Sequence, residues 1–372
     1  MNKIKKKLQN IFKTFFYKIF ILINGKVKGV INAEQDTRIN LNNVIKENKI
    51  SYKIFKVKEG RLYTDRIHDT AIILDNFIIE GPSHQLRFNE KRSINNVNAQ
   101  KNIIFKKGTP RLKKKLNGTV LSMLTGGAGN ENYSHWLFDV LPRLSLCNEV
   151  FELSKIDFFL LPDLSKNFQK ETLETIGIKI NKCLSSRLFR HISAKEIIIT
   201  DHPYGITNDA TYDIQNIPAW IFKWLKEMFI NKKSKINTPS KIYIDRSDSE
   251  SNIKHMRKII NENEVKKYLL KNGFKPITLA NHHFNEQVQI FNNAKFVVGL
   301  HGAGLANLSF CKPETKVIEI KSLTAGKQYQ NLCQKNQLIY KPLISKPSKF
   351  DLKNQYGHID VSLKLLKELT ND

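Results

Sequence analysis

Acidic side chains and cysteines are scarce in this sequence of 372 residues. It holds 34 Asp and Glu against 61 Lys and Arg, which gives a net charge of +27. The four cysteines form no C-x-x-C pair and show no zinc-ligand spacing, so the pattern of a zinc-stabilised domain is missing. They indicate free thiols in a reducing, cytoplasmic compartment.

Several catalytic motifs are absent as well. The sequence contains no G-x-x-x-x-G-K-[S/T], no H-E-x-x-H and no G-x-S-x-G. Its lysines are scattered, and its aromatic residues fall at periodic apolar positions instead of alternating with basic clusters. A basic nucleic-acid-binding protein is therefore kept only as an alternative, and no nucleic-acid partner is expected.

Residues 1–25 form a basic amphipathic N-terminal segment. Lys13 and Lys18 interrupt it, so it falls short of the ~20 apolar residues that a spanning helix needs. The pattern fits a helix in the plane of the inner membrane surface or a helix docked on a domain, and both interpretations stay open. The apolar residues that recur at spacings of three and four are Leu8, Phe12, Phe15, Phe16, Ile19, Phe20 and Ile23.

The rest of the chain alternates between short apolar runs and amphipathic stretches, which predicts a parallel α/β fold. We expect early strands at 71–74, 77–79, 103–105 and 119–124. The polar segment 231–240 has no periodicity and is the predicted linker. Two Rossmann-like domains facing each other across a cleft follow from this pattern.

The predicted boundaries give an N-terminal domain over residues 26–235 and a C-terminal domain over 240–345. Residues 346–372 are expected to form a helical tail that packs on one of the domains. Its apolar positions are Ile359, Val361, Leu365, Leu366 and Leu369.

The sharpest local pattern is an apolar strand that runs into His301, Gly302 and Gly304. Backbone N–H groups at such a turn can approach a phosphate closely. Glu319 ends the next strand, where a carboxylate can accept the hydroxyls of a ribose. A dinucleotide fingerprint would need a third glycine where Asn307 stands, so NAD binding is not expected.

A second pattern places His135, Asp139 and Arg143 at spacings of four. On a helix these side chains share one face. A carboxylate one turn from an imidazole can fix its tautomer and support its cation, as a general base requires. Arg143 would add a fixed positive charge.

A third pattern is a strand that ends in Arg246, where a guanidinium could clamp a diphosphate. The neighbouring Asp245 and Asp248 allow an alternative, a metal-dependent sugar-nucleotide transferase. Their spacing departs from a strict D-x-D motif.

These residues together resemble glycosyltransferase family 61, which includes bacterial capsular-polysaccharide enzymes. The N-terminal part resembles it through the segment from Asn132 to Asp139. The C-terminal part does so over roughly eighty residues with order and spacing kept. Those motifs are Lys241-Ile-Tyr-Ile-Asp-Arg246, Arg257-Lys-Ile-Ile-Asn-Glu262, Gly273-Phe274, Glu286-Gln287, the segment from His301 to Phe310, and Val317-Ile-Glu-Ile320.

The resemblance implies a GT-B-like fold, with the acceptor on the N-terminal domain and a nucleotide-sugar donor on the C-terminal one. It implies an inverting transfer to a glycan or lipid-linked acceptor in cell-surface polysaccharide biosynthesis, without a metal or other cofactor. His135 and Asp139 would carry the catalysis, and Arg143 would stabilise charge or contact the acceptor. The expected donor-binding residues are Arg246, His301, Gly302, Gly304, Asn307 and Glu319.

Overall fold

The fold is taken from a computed structural model, which describes residues 2–64, 70–88, 94–106, 112–126, 131–207, 209–230, 238–247, 257–346 and 358–371. The chain divides into two compact units, Met1–Ile214 and Gln215–Asp372. Each unit has its own sheet with helices packed beside it, so the predicted α/β class is confirmed.

The first unit is built on a mixed sheet of ten strands among the described residues. The strands are β1 (Gly29–Ile31), β2 (Ile39–Lys46), β3 (Ile50–Lys58), β4 (Arg61–Thr64), β5 (Thr70–Leu74), β6 (Phe77–Ile79), β9 (Lys114–Ser122), β10 (Phe158–Leu161), β11 (Cys183–Ser185) and β12 (His191–Thr200), with β7 (Gln85–Phe88) and β8 (Ile94–Val97) as a separate hairpin. One block, β12-β9-β10-β11, is parallel, whereas β3 and β4 pair antiparallel with β12. This sheet is thus only partly Rossmann-like.

The first unit also contains helices, and one of them ends at the candidate base His135. They are α1 (Asn2–Asn24), α2 (Tyr133–His135), α3 (Pro142–Asn148), α4 (Asn167–Thr175) and α5 (Ala210–Gln215), the last of which crosses the division between the units. Residues 103–105 form a short 3₁₀ turn where a strand was predicted. Asn102 explains the difference, since its side chain accepts a hydrogen bond from Ile104 N at 3.0 Å and so caps the turn.

The second unit contains a five-stranded sheet in the order β14-β13-β15-β16-β17, all parallel. The strands Phe296–Leu300 and Lys316–Ser322 are buried over nearly their whole length, as expected when helices cover both faces. The elements are α6 (Ala219–Phe229), β13 (Lys241–Asp245), α7 (Glu262–Lys271), β14 (Lys275–Thr278), α8 (Phe284–Asn293), β15 (Phe296–Leu300), β16 (Lys316–Ser322), α9 (Gln328–Lys335), β17 (Ile339–Ser345) and α10 (Leu363–Asn371).

The strand order reverses between β13 and β15, the first and third strands of this unit. In open parallel sheets, ligands bind at the carboxyl ends of the strands on either side of such a switch point. Arg246 follows β13 and His301 follows β15, so two of the six predicted donor-binding residues lie at this place.

The structure divides the chain before α6, earlier than the predicted linker at 231–240, of which residues 231–237 lie outside the described residues. Helix α6 belongs to the second unit because its apolar face packs there. The ring of Phe229 lies 4.9 Å from that of Phe284 and 6.4 Å from that of Phe310.

The predicted C-terminal helix is present as α10, and Leu366 is its buried anchor. Tyr268 of α7 hydrogen-bonds to Thr370 at 2.7 Å, which ties α10 to the second unit. Ile359 and Val361 are buried as predicted but precede the helix, in an extended segment where Ile359 bridges to Ile259.

A buried histidine in the first unit predicts how stability depends on pH. His191 at the start of β12 is fully buried beside Phe20 and Tyr63, and burial, with the charges of Arg61 and Lys113, lowers its pKa to about 3. The unfolded chain binds a proton at this residue below pH ~6.5, whereas the folded one does not, so stability is lost as pH falls. Between pH 7 and pH 5 the loss should be about 2 kcal/mol.

The variant His191→Phe lacks the titrating group but keeps an aromatic ring of similar shape. Its free energy of unfolding in urea, measured at pH 7 and pH 5, should fall by about 2 kcal/mol less than that of the parent protein. Equal losses in the two proteins would show that His191 does not control the acid limb.

Candidate functional site

His135 ends a short capped helix in the first unit. The side-chain oxygen of Asn132 accepts hydrogen bonds from Ser134 N at 3.0 Å and from His135 N at 3.3 Å, so it caps α2. The Asn-x-Ser triplet thus serves as a helix start.

A π-helical turn, Trp136–Val140, follows and contains Asp139. It is closed by a hydrogen bond from Leu141 N to the carbonyl of Trp136 at 3.1 Å. Pro142 comes next and has no N–H to continue the α-helical ladder, which accounts for the wider turn before it. Single π turns inside helices occur often at functional sites.

The turn brings His135 and Asp139 together as predicted. The distance from His135 Nδ1 to Asp139 Oδ2 is 2.8 Å. The Asp139 side chain is 8% exposed, whereas that of His135 is 35% exposed. A carboxylate can only accept, so Nδ1 donates, and in the neutral imidazole the lone pair lies on Nε2. The pair is therefore a buried carboxylate that orients a half-exposed imidazole.

The electrostatics of the pair follow from this geometry. The negative charge of Asp139, with its hydrogen bond, raises the pKa of His135 despite the cost of burial. Burial alone would raise the pKa of Asp139, but His135, with smaller contributions from His202 and Tyr204, lowers it below its usual value. A raised imidazole pKa makes His135 a stronger base than free histidine.

Two further residues surround the carboxylate, both from the loop after β12. The imidazole of His202 and the hydroxyl of Tyr204 each help to lower the pKa of Asp139. His202 Nδ1 accepts hydrogen bonds from Tyr204 N at 3.3 Å and Gly205 N at 2.9 Å, which fixes its orientation. Sequence reasoning missed both residues, and a histidine directly after a strand was the available signal.

Arg143 supports the backbone next to Asp139. It is fully buried and donates hydrogen bonds to the carbonyls of Asp139 at 2.8 Å and Thr125 at 2.6 Å. Burial lowers its pKa to about 10. These contacts favour a role in supporting the loop at Thr125 over the expected contact with an acceptor.

Arg246 defines a second candidate site at the switch point of the second unit. Its Nη1 donates to the carbonyl of His301 at 3.4 Å. A Cβ on Gly302 would stand 3.1 Å from that nitrogen, so the absence of a side chain there lets the guanidinium lie against the strand end. The structure thus brings Arg246, His301 and Gly302 together.

Beside Arg246 lies a pocket of about 200 Å³. Arg257 and Lys258 contribute two more cations to its lining, and Arg257 is 7% exposed. Glu262 also lines it, but its carboxylate already accepts from Tyr243 Oη at 3.0 Å. With three basic side chains and one acidic one, the pocket has a net positive lining. Arg257 was part of the sequence resemblance, but it was not predicted as a site residue.

His301 itself is buried in a polar network. Its Nδ1 donates to Glu319, whose other oxygen accepts from the Tyr340 hydroxyl. Gln328 Nε2 donates to His301 Nε2 at 3.1 Å, so both ring nitrogens are used. Burial lowers the pKa of His301 against the effect of Glu319, and the charge of Arg257 lowers it further. A lowered pKa favours the neutral ring, which agrees with the hydrogen bond that Nε2 accepts from Gln328.

The geometry of this network bears on the expected role of Glu319. The carboxylate is fully buried, with His301 on one oxygen and Tyr340 on the other. This arrangement favours a role for Glu319 in positioning His301 over the predicted role in contacting ribose hydroxyls. His301 in turn presents its backbone carbonyl, not its ring, to Arg246.

Gly304 and Asn307 lie in the 3₁₀ segment Ala303–Phe310. A Cβ on Gly304 would stand 2.8 Å from Leu279 Cδ1, so this glycine allows close apolar packing. The Asn307 amide is fully buried and donates to Gln287 Oε1 and to the Gly304 carbonyl, both at 3.3 Å. Gly304 and Asn307 thus stabilise this segment, the first by close apolar packing and the second by buried hydrogen bonds.

Asp245 belongs to an ion pair, with its carboxylate 2.9 Å from Lys266 Nζ. Asp248, the other residue of the alternative metal site, lies outside the described residues. Among the residues that the structure describes, no three His, Cys, Asp or Glu side chains are close enough to share a metal ion.

The two glycines predict separable effects. In Gly302→Ala the new methyl should displace the Arg246 guanidinium, which can move at little cost in stability. Affinity for nucleoside diphosphates should then fall roughly tenfold to a hundredfold, the loss expected for a charge-assisted hydrogen bond. In Gly304→Ala the methyl meets Leu279 and should cost about 1–3 kcal/mol of stability, with affinity nearly kept.

Calorimetric titration and thermal unfolding of both variants measure these effects. Loss of affinity in Gly304→Ala with full affinity in Gly302→Ala would place the phosphate at Gly304, as the sequence alone suggested, and not beside Arg246.

Comparison with known proteins places these features in a family. The model of the family described as glycosyltransferase 61 matches residues 133–318, half of the chain. The curated proteins contain no match. Among solved structures, the bacterial iron-containing dodecameric glycosyltransferase TibC from enterotoxigenic E. coli H10407 is similar at 11% identity and a TM-score of 0.31, over 78% of this chain and 79% of that chain. That likeness is too weak to carry an argument about this chain.

The matched span contains the His135–Asp139 pair together with Arg246, His301 and Gly302, and it ends one residue before Glu319. The chain therefore belongs to glycosyltransferase family 61.

Proposed function

We propose that this glycosyltransferase inverts the anomeric centre of a nucleotide sugar as it transfers the sugar to a glycan or lipid-linked acceptor. Family membership implies a nucleotide-sugar donor and a glycan acceptor in general. The finer proposal is a GT-B enzyme of bacterial cell-surface polysaccharide biosynthesis, with the acceptor on the first unit and the donor on the second. The observation that carries it is the oriented imidazole of His135.

In the proposed step, Nε2 of His135 takes the proton from an acceptor hydroxyl as that oxygen attacks the anomeric carbon. The bond from this carbon to the diphosphate breaks, and the nucleoside diphosphate leaves from the opposite face. Asp139 stabilises the imidazolium that forms, because it already accepts from Nδ1 at 2.8 Å. A single displacement of this kind inverts the configuration.

Charge on the departing diphosphate requires fixed cations. Arg246 lies at the switch point, and Arg257 and Lys258 line the pocket beside it. We assign the diphosphate to this cationic pocket. Lys266 pairs with Asp245 at 2.9 Å, which offsets the negative charge that directly precedes Arg246.

We further propose that the reaction needs no resident metal, because three basic side chains can meet the charge that Mg²⁺ or Mn²⁺ would otherwise meet. The metal-dependent alternative would give activity that chelation abolishes and that added divalent cation restores.

Substitution of the pair tests the proposed base. His135→Ala should lower turnover ~10²–10⁴-fold, the usual contribution of a general base, with donor affinity almost unchanged. Asp139→Asn should lose part of that factor. Turnover of the double variant should be little lower than that of the less active single variant, since the two residues act as a unit.

Turnover and donor affinity of the three variants, measured with a responsive nucleotide sugar found by ligand-stabilised unfolding, provide the test. Undiminished turnover in His135→Ala would move the base elsewhere. Multiplicative losses in the double variant would show that the two residues act separately.

A further inference from the structure

Helix α1 has one face that docks on the first unit. Tyr17 Oη donates to the carbonyl of Phe105 at 2.6 Å. Phe20 is 3% exposed, and its ring lies 5.6 Å from that of Tyr63 and 5.2 Å from that of His191. This contact confirms the docked-helix interpretation for the C-terminal half of α1.

The other face of α1 carries large apolar side chains that nothing covers in the described part of the chain. Six of them are between 53% and 85% exposed. At 100° per residue they fall within an arc of roughly 120°, on the side away from Tyr17 and Phe20. They are Leu8, Ile11, Phe12, Phe15, Leu22 and Ile23.

The charge of α1 selects among the surfaces that could cover this face. Its 23 residues include no Asp or Glu, and its lysines are Lys3, Lys5, Lys6, Lys7, Lys13 and Lys18. A second copy would bring two such helices together and concentrate like charge. An anionic bilayer supplies both the apolar interior and the opposite charge. No helix in the described residues is long and apolar enough to cross a membrane, so the contact would lie in the surface plane.

We propose that α1 anchors the protein to anionic membranes, with its exposed apolar face in the headgroup region and its Phe20 face holding the first unit. This anchor is independent of the proposed chemistry. Phe20 contacts His191, the first residue of β12, whereas His202 follows the far end of that strand. Ten strand residues span roughly 33 Å, so a change on the outer face of α1 leaves the candidate base untouched.

Adjacent residues of the full-length protein offer a matched test. Phe15 belongs to the exposed apolar face, and Thr14 is exposed but lies about 100° away around the helix. Phe15→Asp and Thr14→Asp add the same charge at neighbouring positions. Deleting residues 1–24 would be less informative, because it would also remove Tyr17 and Phe20 from the first unit.

Co-sedimentation with mixed phosphatidylglycerol and phosphatidylcholine vesicles, and with phosphatidylcholine alone, measures binding. The parent protein should bind the anionic vesicles and hardly the neutral ones. Phe15→Asp should bind about tenfold more weakly than Thr14→Asp, the effect of withholding one large apolar side chain from the bilayer. Thermal unfolding of the two variants should be alike.

Three results would overturn the proposal. These are absence of vesicle binding by the parent protein, equal binding of the two variants, and binding to neutral vesicles as strong as to anionic ones. A dimer in solution that Phe15→Asp dissociates, without vesicle binding, would assign the face to a second copy instead.

Discussion

Burial of the Asp139 carboxylate is the constraint on which the candidate catalytic site depends. A carboxylate removed from water is costly unless charges and hydrogen bonds compensate it. Here His135 supplies the main compensation, and His202 and the Tyr204 hydroxyl add to it. Because the buried Asp139 carboxylate pairs with His135, it holds that imidazole in one orientation and raises its pKa.

The second unit repeats the arrangement with the opposite outcome. Glu319 is also buried and also accepts from a histidine Nδ1. His301, however, is 1% exposed, and burial lowers its pKa instead of raising it. The same pair of residue types therefore yields a candidate base where the imidazole reaches solvent, and a rigid support for the Arg246 site where it does not.

Local patterns predicted the strands near 71–74, 77–79 and 119–124 and the C-terminal helix. They also predicted the His135–Asp139 pair, because spacing along a helix determines which side chains meet. They also predicted the strand that ends at His301 and the amphipathic character of α1. They could not predict the roles of Gly304 and Glu319, which depend on contacts with Leu279 and Tyr340 from distant segments. His202 joins Asp139 through the end of β12, a proximity that only the sheet creates. The π turn before Pro142 was likewise invisible to a four-residue period.

The pH dependence of turnover tests the central claim most directly, because it reports the protonation of the base during catalysis. Asp139 raises the pKa of His135, and only the neutral imidazole accepts a proton, so turnover should rise with pH through an apparent pKa above 6.5. In Asp139→Asn the negative charge is gone, so this limb should move to lower pH while the plateau falls. An acid limb at the same pH in both proteins would contradict the account.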